Sequence, residues 1–427
     1  MIGAVLVVAL IAAPGDSVPR ISLSEALNRA TRLDPGYVAA LALVSTAEWA
    51  RRSAFATLVL PSISVSTDFT TYSTEIFNTG TAKPAKTIIT ARADARFELF
   101  NGGRHLADVH RTRAELESAE ATEVQVRYFS ALVTEAVFYA VLSGQELRAV
   151  AQDRLRRAQE QLVVARARVV SGAVVQTDSL QILLEVNRAR VALIREGARL
   201  NVARLELGRR VGESGPVEAL PADTVPAPEL PVTLPEAIAS ALQQGPDYRI
   251  AQANERATAA ALRAQQASYF PTLALGANVT SFDDHYFPNA LTRSSVSLSL
   301  NFPLWNNFSR ELNVARARAG RDVARAIRSD VERAAAVDVT LTYEAYQTAR
   351  AATEYAVQGL VVAQENFRVQ QARYRAGAST ILDLLEAQKG LTEAESELVQ
   401  SRYAIRLALA GLEAVLGRRL FDLKDRQ

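Results

Sequence analysis

The 427 residues contain no cysteine. That excludes disulfides, thiolate metal sites and cysteine nucleophiles, and no lipid anchor on a cysteine is expected. Histidine is nearly as scarce, with 3 in the chain. His105 and His110 miss the i, i+4 spacing of a helical metal pair, and His285 stands alone. All three read as surface residues, so neither a metal site nor a cofactor is expected. Like charges do not cluster. Lys and Arg total 48 against 46 Asp and Glu, interspersed along the chain, for a net charge of +2. Nucleic acid is therefore not an expected partner, and solvated helix faces account for the charges. The apolar run Ile2 to Ala13 falls short of the ~20 residues that a spanning helix needs. With Ala12-Ala13-Pro14-Gly15 after it, residues 1–13 read as a secretory signal; a short buried N-terminal strand is the other reading.

The chain repeats itself. Ile21-Ser-Leu-Ser-Glu-Ala-Leu27 returns as Val232-Thr-Leu-Pro-Glu-Ala-Ile238. Asp34-Pro-Gly-Tyr37 returns as Gly245-Pro-Asp-Tyr248, and Leu60-Pro61-Ser62 as Phe270-Pro271-Thr272. Ser171-Gly172-Ala173 with Asp178 returns as Ala376-Gly377-Ala378 with Asp383, and Val211-Gly212 as Leu416-Gly417. The matches keep their order over a period far longer than a solenoid unit, so one half has been duplicated. The first repeat spans 21–212 and the second 232–417. The proline-rich stretch 213–231 is a linker, and 418–427 is a tail.

Each half reads helix, strand, strand, long helix, turn, helix. Ser22 or Ser24 can cap a helix predicted to run to about Thr57, before Pro61. Period-two alternation then marks four strands, at about 62–76, 87–100, 272–284 and 294–304. Ile63, Val65, Thr67 and Phe69 oppose Ser62, Ser64, Ser66 and Asp68. Val296, Leu298, Leu300 and Phe302 oppose Ser295, Ser297, Ser299 and Asn301. After Asn101-Gly-Gly103 a helix is predicted from about Arg104 to Val170, on the order of 100 Å at the rise of an α-helix. Leu384, Leu391, Leu398, Ile405 and Leu412 recur every seven residues, mirrored by Val186, Leu193, Leu200 and Leu207. Such heptads form a seam against a neighbouring helix.

Alternating strands whose polar row carries Arg92, Asp94, Arg96 and Glu98 need water on that side. One lipid face and one wet face is the pattern of an outer-membrane barrel. Aromatics gather near strand ends, among them Phe69, Tyr72, Phe97, Phe100, Phe282, Tyr286, Phe287, Phe302 and Trp305, as an interfacial girdle would. A soluble sandwich is the competing reading. Four strands cannot close, and open edges are not tolerated in lipid. Two copies give about eight strands and a filled interior; three give about twelve and a lumen.

The repeat, the Leu-Ser-Glu-Ala opening, the Leu-Pro-Ser strand entry and the Gly-Ala…Asp turn together resemble the TolC family of outer-membrane efflux proteins, over roughly residues 21–417. The resemblance implies a mainly α protein with a membrane β-barrel portion. It implies a homotrimer with a twelve-stranded barrel in outer-membrane lipid, a long α-helical barrel in the periplasm and an equatorial region around the linker. It implies an exit duct of a tripartite efflux or type I secretion system, with a periplasmic adaptor and an inner-membrane pump as partners. The family's paired gate acids fall on Asp383 and Glu386, the expected channel constriction. Its closed-state tip contact falls on Asp178 and Tyr374. The adaptor-docking tips fall on Gly172 and Ala173 and on Gly377 and Ala378. Ser379 stands where a family arginine is expected.

The residues themselves allow a blander account. Asp178 and Asp383 lie near helix starts, where carboxylates cap amides, while Glu386 lies one turn beyond Asp383 on the same face. No catalytic residues are expected: the Asp383 and Glu386 pair has no nucleophile motif or phosphate loop beside it. A structural coiled coil of the envelope without transport remains the alternative, against which the four strands argue.

Overall fold

The computed structural model describes residues 18–79, 81–172, 175–221, 229–283 and 291–421. Outside them lie the expected signal (1–13), Ala173, His285, Tyr286, Phe287, the middle of the linker and the end of the tail. The chain divides into two compact units. One comprises Met1–Ala39, Gln125–Ala241 and Ala336–Gln427; the other comprises Ala40–Val124 and Leu242–Ala335.

In chain order the elements are β1 (Arg20–Ile21), α1 (Leu23–Leu33), α2 (Pro35–Val59), β2 (Ser62–Asn78), β3 (Lys83–Phe100), α3 (Arg104–Val170), α4 (Gln176–Val211) and β4 (Glu218–Ala219). The second half continues with α5 (Leu234–Gln244), α6 (Pro246–Gln266), β5 (Thr272–Asp283), β6 (Leu291–Asn301), α7 (Ser309–Arg375) and α8 (Ile381–Leu416).

The single helix expected from Ser22 to Thr57 is two helices. Ser22 caps α1, accepting from the Glu25 amide at 3.3 Å. The helix then stops at Asp34, whose φ and ψ of −68° and 115° are extended. Pro35 is the cause, because its ring drives the preceding residue out of the helical region. Proline suits the first position of α2, and the Asp34 carboxylate caps that helix by accepting from the Gly36 amide at 2.8 Å and the Tyr37 amide at 3.3 Å. The proline recurs without the aspartate, as Gly245-Pro246 at the start of α6, where no side chain caps the helix.

In the unit holding the strands, β2, β3, β5 and β6 form one antiparallel sheet in the order β2-β3-β5-β6. Its register brings the polar rows together: Ser64 faces Asp94, Asp94 faces Asn278 and Asn278 faces Ser295. The Ser295 hydroxyl donates to Asn278 Oδ1 at 3.1 Å. Arg96 sits between Ser62 and Gly276. A Cβ at Gly276 would lie 2.9 Å from Ser297 Oγ, so glycine keeps this polar face open. The edge strands β2 and β6 are bare on both faces. Ile63, Val65 and Val296 are 74%, 76% and 77% exposed.

In the other unit most of the predicted heptad seam is buried: Leu384, Leu391, Leu398, Ile405 and Leu412 all face the interior, with Val186, Leu200 and Leu207 from α4, while Leu193 is half-buried. Phe138, Tyr139, Val141 and Leu142 of α3 pack with Ile21, Leu23 and Leu27 and with Leu200 and Leu207. This apolar stretch of α3 is therefore spent on a protein core. The short parallel pair β1 and β4 matches Ile21 with Ala219. Ion pairs hold helices in register: Arg157 of α3 grips Glu395 of α8 through both oxygens at 3.0 and 2.7 Å. Arg154 meets Glu185 of α4 at 2.7 Å.

Candidate functional site

The residues picked out by the repeat converge where α3 turns into α4 and α7 into α8. Both turns are built on a left-handed glycine, Gly172 with φ +71° and Gly377 with φ +78°. At the second turn the Gly377 amide donates to the Tyr374 carbonyl at 3.1 Å and the Ala378 amide to the Arg373 carbonyl at 2.8 Å. That pair of bonds is a Schellman closure. At the first, the Gly172 amide donates to the Val169 carbonyl at 3.0 Å. A Cβ at Gly172 would touch nothing within 4 Å among the described residues, and its left-handed backbone is what calls for glycine.

Helix α8 starts with a capping box. Thr380 Oγ1 accepts from the Asp383 amide at 3.2 Å, and the Asp383 carboxylate accepts from the Thr380 amide at 2.9 Å and its hydroxyl at 2.8 Å. These bonds, led by that from the Thr380 backbone and helped by the Arg373 charge, hold the Asp383 carboxyl below the usual carboxylate range. Asp383 is therefore a cap in the protomer, and its side chain is also exposed. Glu386 is exposed, with Lys389 Nζ 3.8 Å from its carboxylate. In the first half Val175 takes the place of Thr380 and offers no side-chain cap, leaving Asp178 as the acid of the first turn of α4.

Tyr374 is buried, among Leu162, Ile182 and Leu384 and their neighbours. Its hydroxyl meets no hydrogen-bond partner among the described residues. Burial pushes the phenol up, and the nearby Asp178 charge adds to that. Asp178 and Tyr374 are thus brought into electrostatic range without a hydrogen bond between them. The group that does engage Tyr374 was missed by sequence reasoning. Arg168, in the last turn of α3, lays its guanidinium over the ring at 4.8 Å from the centroid and donates to the Tyr374 carbonyl. The signal was available, because Arg168 occupies in the first half the position that Arg373 occupies in the second. Arg373 reaches its own turn, at the Ala378 carbonyl, at 3.4 Å. Basic residues suit the C-terminal end of a helix, and that generic fit hid the specific contact. Gln161 and Gln388 are also buried in this unit, with neither amide atom hydrogen-bonded to a described residue in either side chain.

Within the described residues no group of three or more His, Asp or Glu side chains could hold a metal ion. What the two turns offer chemically is exposed backbone and small side chains at Gly172, Gly377 and Ala378, acids at Asp383 and Glu386, and a guanidinium clamp across α3 and α7.

Comparison with known proteins adds the following. The sequence profile of the family described as outer membrane efflux protein matches residues 23–213 and 237–418. The pyoverdine export outer membrane protein OpmQ of Pseudomonas aeruginosa is 28% identical over 363 residues, covering 77% of this chain and 69% of that protein. Among solved structures, CusC superposes with a TM-score of 0.79 at 17% identity, covering 93% of this chain and 92% of that one. VceC of Vibrio cholerae gives 0.76 at 18% identity, covering 93% and 97%. These structural likenesses concern the fold.

Proposed function

Since the chain belongs to the outer membrane efflux protein family, we propose that it forms the outer-membrane exit duct of a tripartite efflux or type I secretion machine, and that it works as a homotrimer. The observation that carries this reading is the four-stranded sheet with open edges at β2 and β6 and with both faces of those edge strands bare. In water, a row such as Ile63, Val65, Val296 and Leu298 would be a large exposed apolar patch. In a bilayer it is the lipid face, and the Ser, Asn, Asp and Arg row opposite is the wet face. Three copies joined edge to edge supply about twelve strands, enough for a lumen.

The remaining surfaces suit assembly. The duct is passive: its polar sheet face and its helices offer a path, not a reaction. A periplasmic adaptor would dock on the turns around Gly172 and Gly377, and an inner-membrane pump would deliver cargo to the duct. Asp383 and Glu386 would gather into acidic rings near the three-fold axis. Their carboxylates are exposed in the protomer, which supports the idea, and Lys389 beside Glu386 tempers the charge of that ring.

The test is to extract the protein in detergent, measure its mass and reconstitute it in a planar bilayer. Trimers and discrete conductance are expected. A stable monomer or dimer, or trimers without conductance, would return the chain to the alternative of a non-transporting envelope coiled coil.

A further inference from the structure

Duplication gives α3 two partners that are copies of each other. Helix α4 meets it through Arg154 and Glu185, 2.7 Å apart. Helix α8 meets it through Arg157 and Glu395. A second contact, Arg402 with Glu146 at 3.7 Å, lies further along α8 and further back along α3, so α8 runs antiparallel to α3, as α4 does after its turn. The short turn at Gly172 brings α4 back along α3 and leaves it two flanks to choose between.

The residues facing α3 from α8 are polar where a seam would be apolar. Gln388 and Glu395 lie one heptad apart, on one face of α8. Arg157 and Gln161 stand at i, i+4 and share a face of α3. With Arg157 gripping Glu395, Gln161 and Gln388 both lie toward the turns, about 4–5 Å apart along the helix axes. The two amides therefore fall in one layer. They are 4% and 1% exposed, beyond the reach of a neighbouring copy, and neither bonds to a described residue. Ala158, Leu162, Leu384 and Leu391 of the surrounding cluster offer no side-chain partner. A buried amide tolerates another amide with ordered water between them far better than it tolerates leucine.

The interval from Gly377 back to Gly172 carries Gln388 to Leu183 and Glu395 to Arg190, both on α4. In its own place Arg190 is exposed and Leu183 half-buried. Were α4 to lie where α8 lies, Arg190 would oppose Arg157 and Leu183 would oppose Gln161. The same interval carries Glu185 forward to Gly390, so α8 in the place of α4 would leave Arg154 without its acid. We propose that Arg157 and Gln161 read a pairing code: they admit α8 and reject its duplicate α4, so that each helix closes on its own flank of α3. Opposed like charges and an amide stranded against leucine penalise the wrong helix, which discriminates beyond what the right contacts give. Misassembly between like repeats is the failure that such a code prevents.

Reversing the ion pair tests this. Arg157→Glu with Glu395→Arg keeps an acid and an arginine face to face, but it lets Arg190 of α4 compete for the new acid. The fraction of detergent-extracted chain recovered as trimer should fall several-fold. Adding Arg190→Glu, at an exposed position, restores the penalty on α4 and should bring that fraction back to the parent's. The proposal is overturned if the reversed pair assembles like the parent, which makes Arg157 and Glu395 a contact only. It is overturned too by a loss that Arg190→Glu does not repair, which makes the loss unrelated to α4. The amides are tested separately. Gln161→Leu with Gln388→Leu should melt at or above the parent's temperature, because both polar groups go together, yet give several-fold fewer trimers. A lower melting temperature, or a trimer fraction equal to the parent's, would overturn the amides' part. The trimer readout rests on the duct reading: a parent that forms no trimer refutes that reading, and the same variants are then compared by their yield of folded chain.

Discussion

Removing Arg168 should open the duct. Its guanidinium ties the last turn of α3 to α7 in two ways, over the Tyr374 ring at 4.8 Å and onto the Tyr374 carbonyl. A hydrogen bond from a charged donor contributes about 1.5–3 kcal/mol, and a cation–π contact at a partly solvated site about 0.5–1 kcal/mol. Arg168 is half-buried, so the lower ends apply, and Arg168→Ala should cost the clamp about 2 kcal/mol. On the reading that opening parts α7 from α3 at the tip, this is roughly a 30-fold shift toward the open state. A tip closed about 99% of the time would then be open about a quarter of it. The assay is the open fraction of single trimers in a planar bilayer, comparing parent, Arg168→Ala and Arg168→Lys. Lysine keeps the charge but lacks the planar fork, so it should fall between the two. If Arg168→Ala leaves the open fraction unchanged while trimers and unitary conductance persist, α3 and α7 do not separate there, and the clamp is a structural contact only.

Three further outcomes are expected. Asp383→Ala with Glu386→Ala should abolish block by a trivalent cation added from the periplasmic side, because rings of carboxylates hold such ions. Asp383→Asn, which keeps an oxygen for the Thr380 cap but gives up the charge that the cap favours, should weaken the block with only a small fall in melting temperature; retained block and cation selectivity in the double variant would move the constriction elsewhere. Asp34 pairs with Arg210 at 2.8 Å and accepts from Ser130 at 2.8 Å. Burial works against its ionisation, but the bonds from Ser130, Tyr37 and Gly36 and the Arg210 charge outweigh it and hold the carboxyl below the usual range. A depressed carboxyl stabilises above its unfolded value, so this contribution is full above about pH 4 and is lost as pH falls through the lower folded value. Asp34→Asn should therefore cost about 2–3 kcal/mol near neutrality and flatten the acid side of a melting-temperature profile, and an unchanged profile would dismiss the network. Valine at both Gly172 and Gly377 forces a β-branched residue into left-handed backbone, so adaptor crosslinking should drop several-fold while trimers persist; full crosslinking would show that the adaptor docks elsewhere.

Period two was the most readable part of the sequence. Ile63, Val65, Val296 and Leu298 each fall on a row whose opposite face is polar, and the pairing of Ser64, Asp94, Asn278 and Ser295 follows from those rows meeting across the sheet. The start of α3 at Arg104 was readable from Asn101-Gly-Gly103. The break at Asp34 was written in the Asp-Pro pair but lost within a longer helical pattern, because a proline one residue past a cap looks like any first-turn proline until the dihedrals are known. At the tips, local chemistry was readable and distant chemistry was not. The capping role of Asp383 depends on Thr380, three residues away. The Arg168 clamp depends on Tyr374, reached only through packing of α3 on α7. Lys389 beside Glu386 was in plain view, but a search for acids passes over a neighbouring base.

The open edges of β2 and β6 make assembly a matter of kinetics. In the proposed trimer, a protomer whose sheet closes only on two others has no finished state of its own, so its stability would be inseparable from its concentration. Until those edges meet partners, each is a row of unpaired amides and carbonyls able to template a wrong pairing as readily as a right one. Closure depends on encounter and stray aggregation competes for the same edges, so the yield of ducts is set by how fast protomers find one another. Confinement to a membrane surface raises that encounter rate by removing one dimension of the search. Slow expression should therefore favour neither route by itself; the local density of protomers at the bilayer decides.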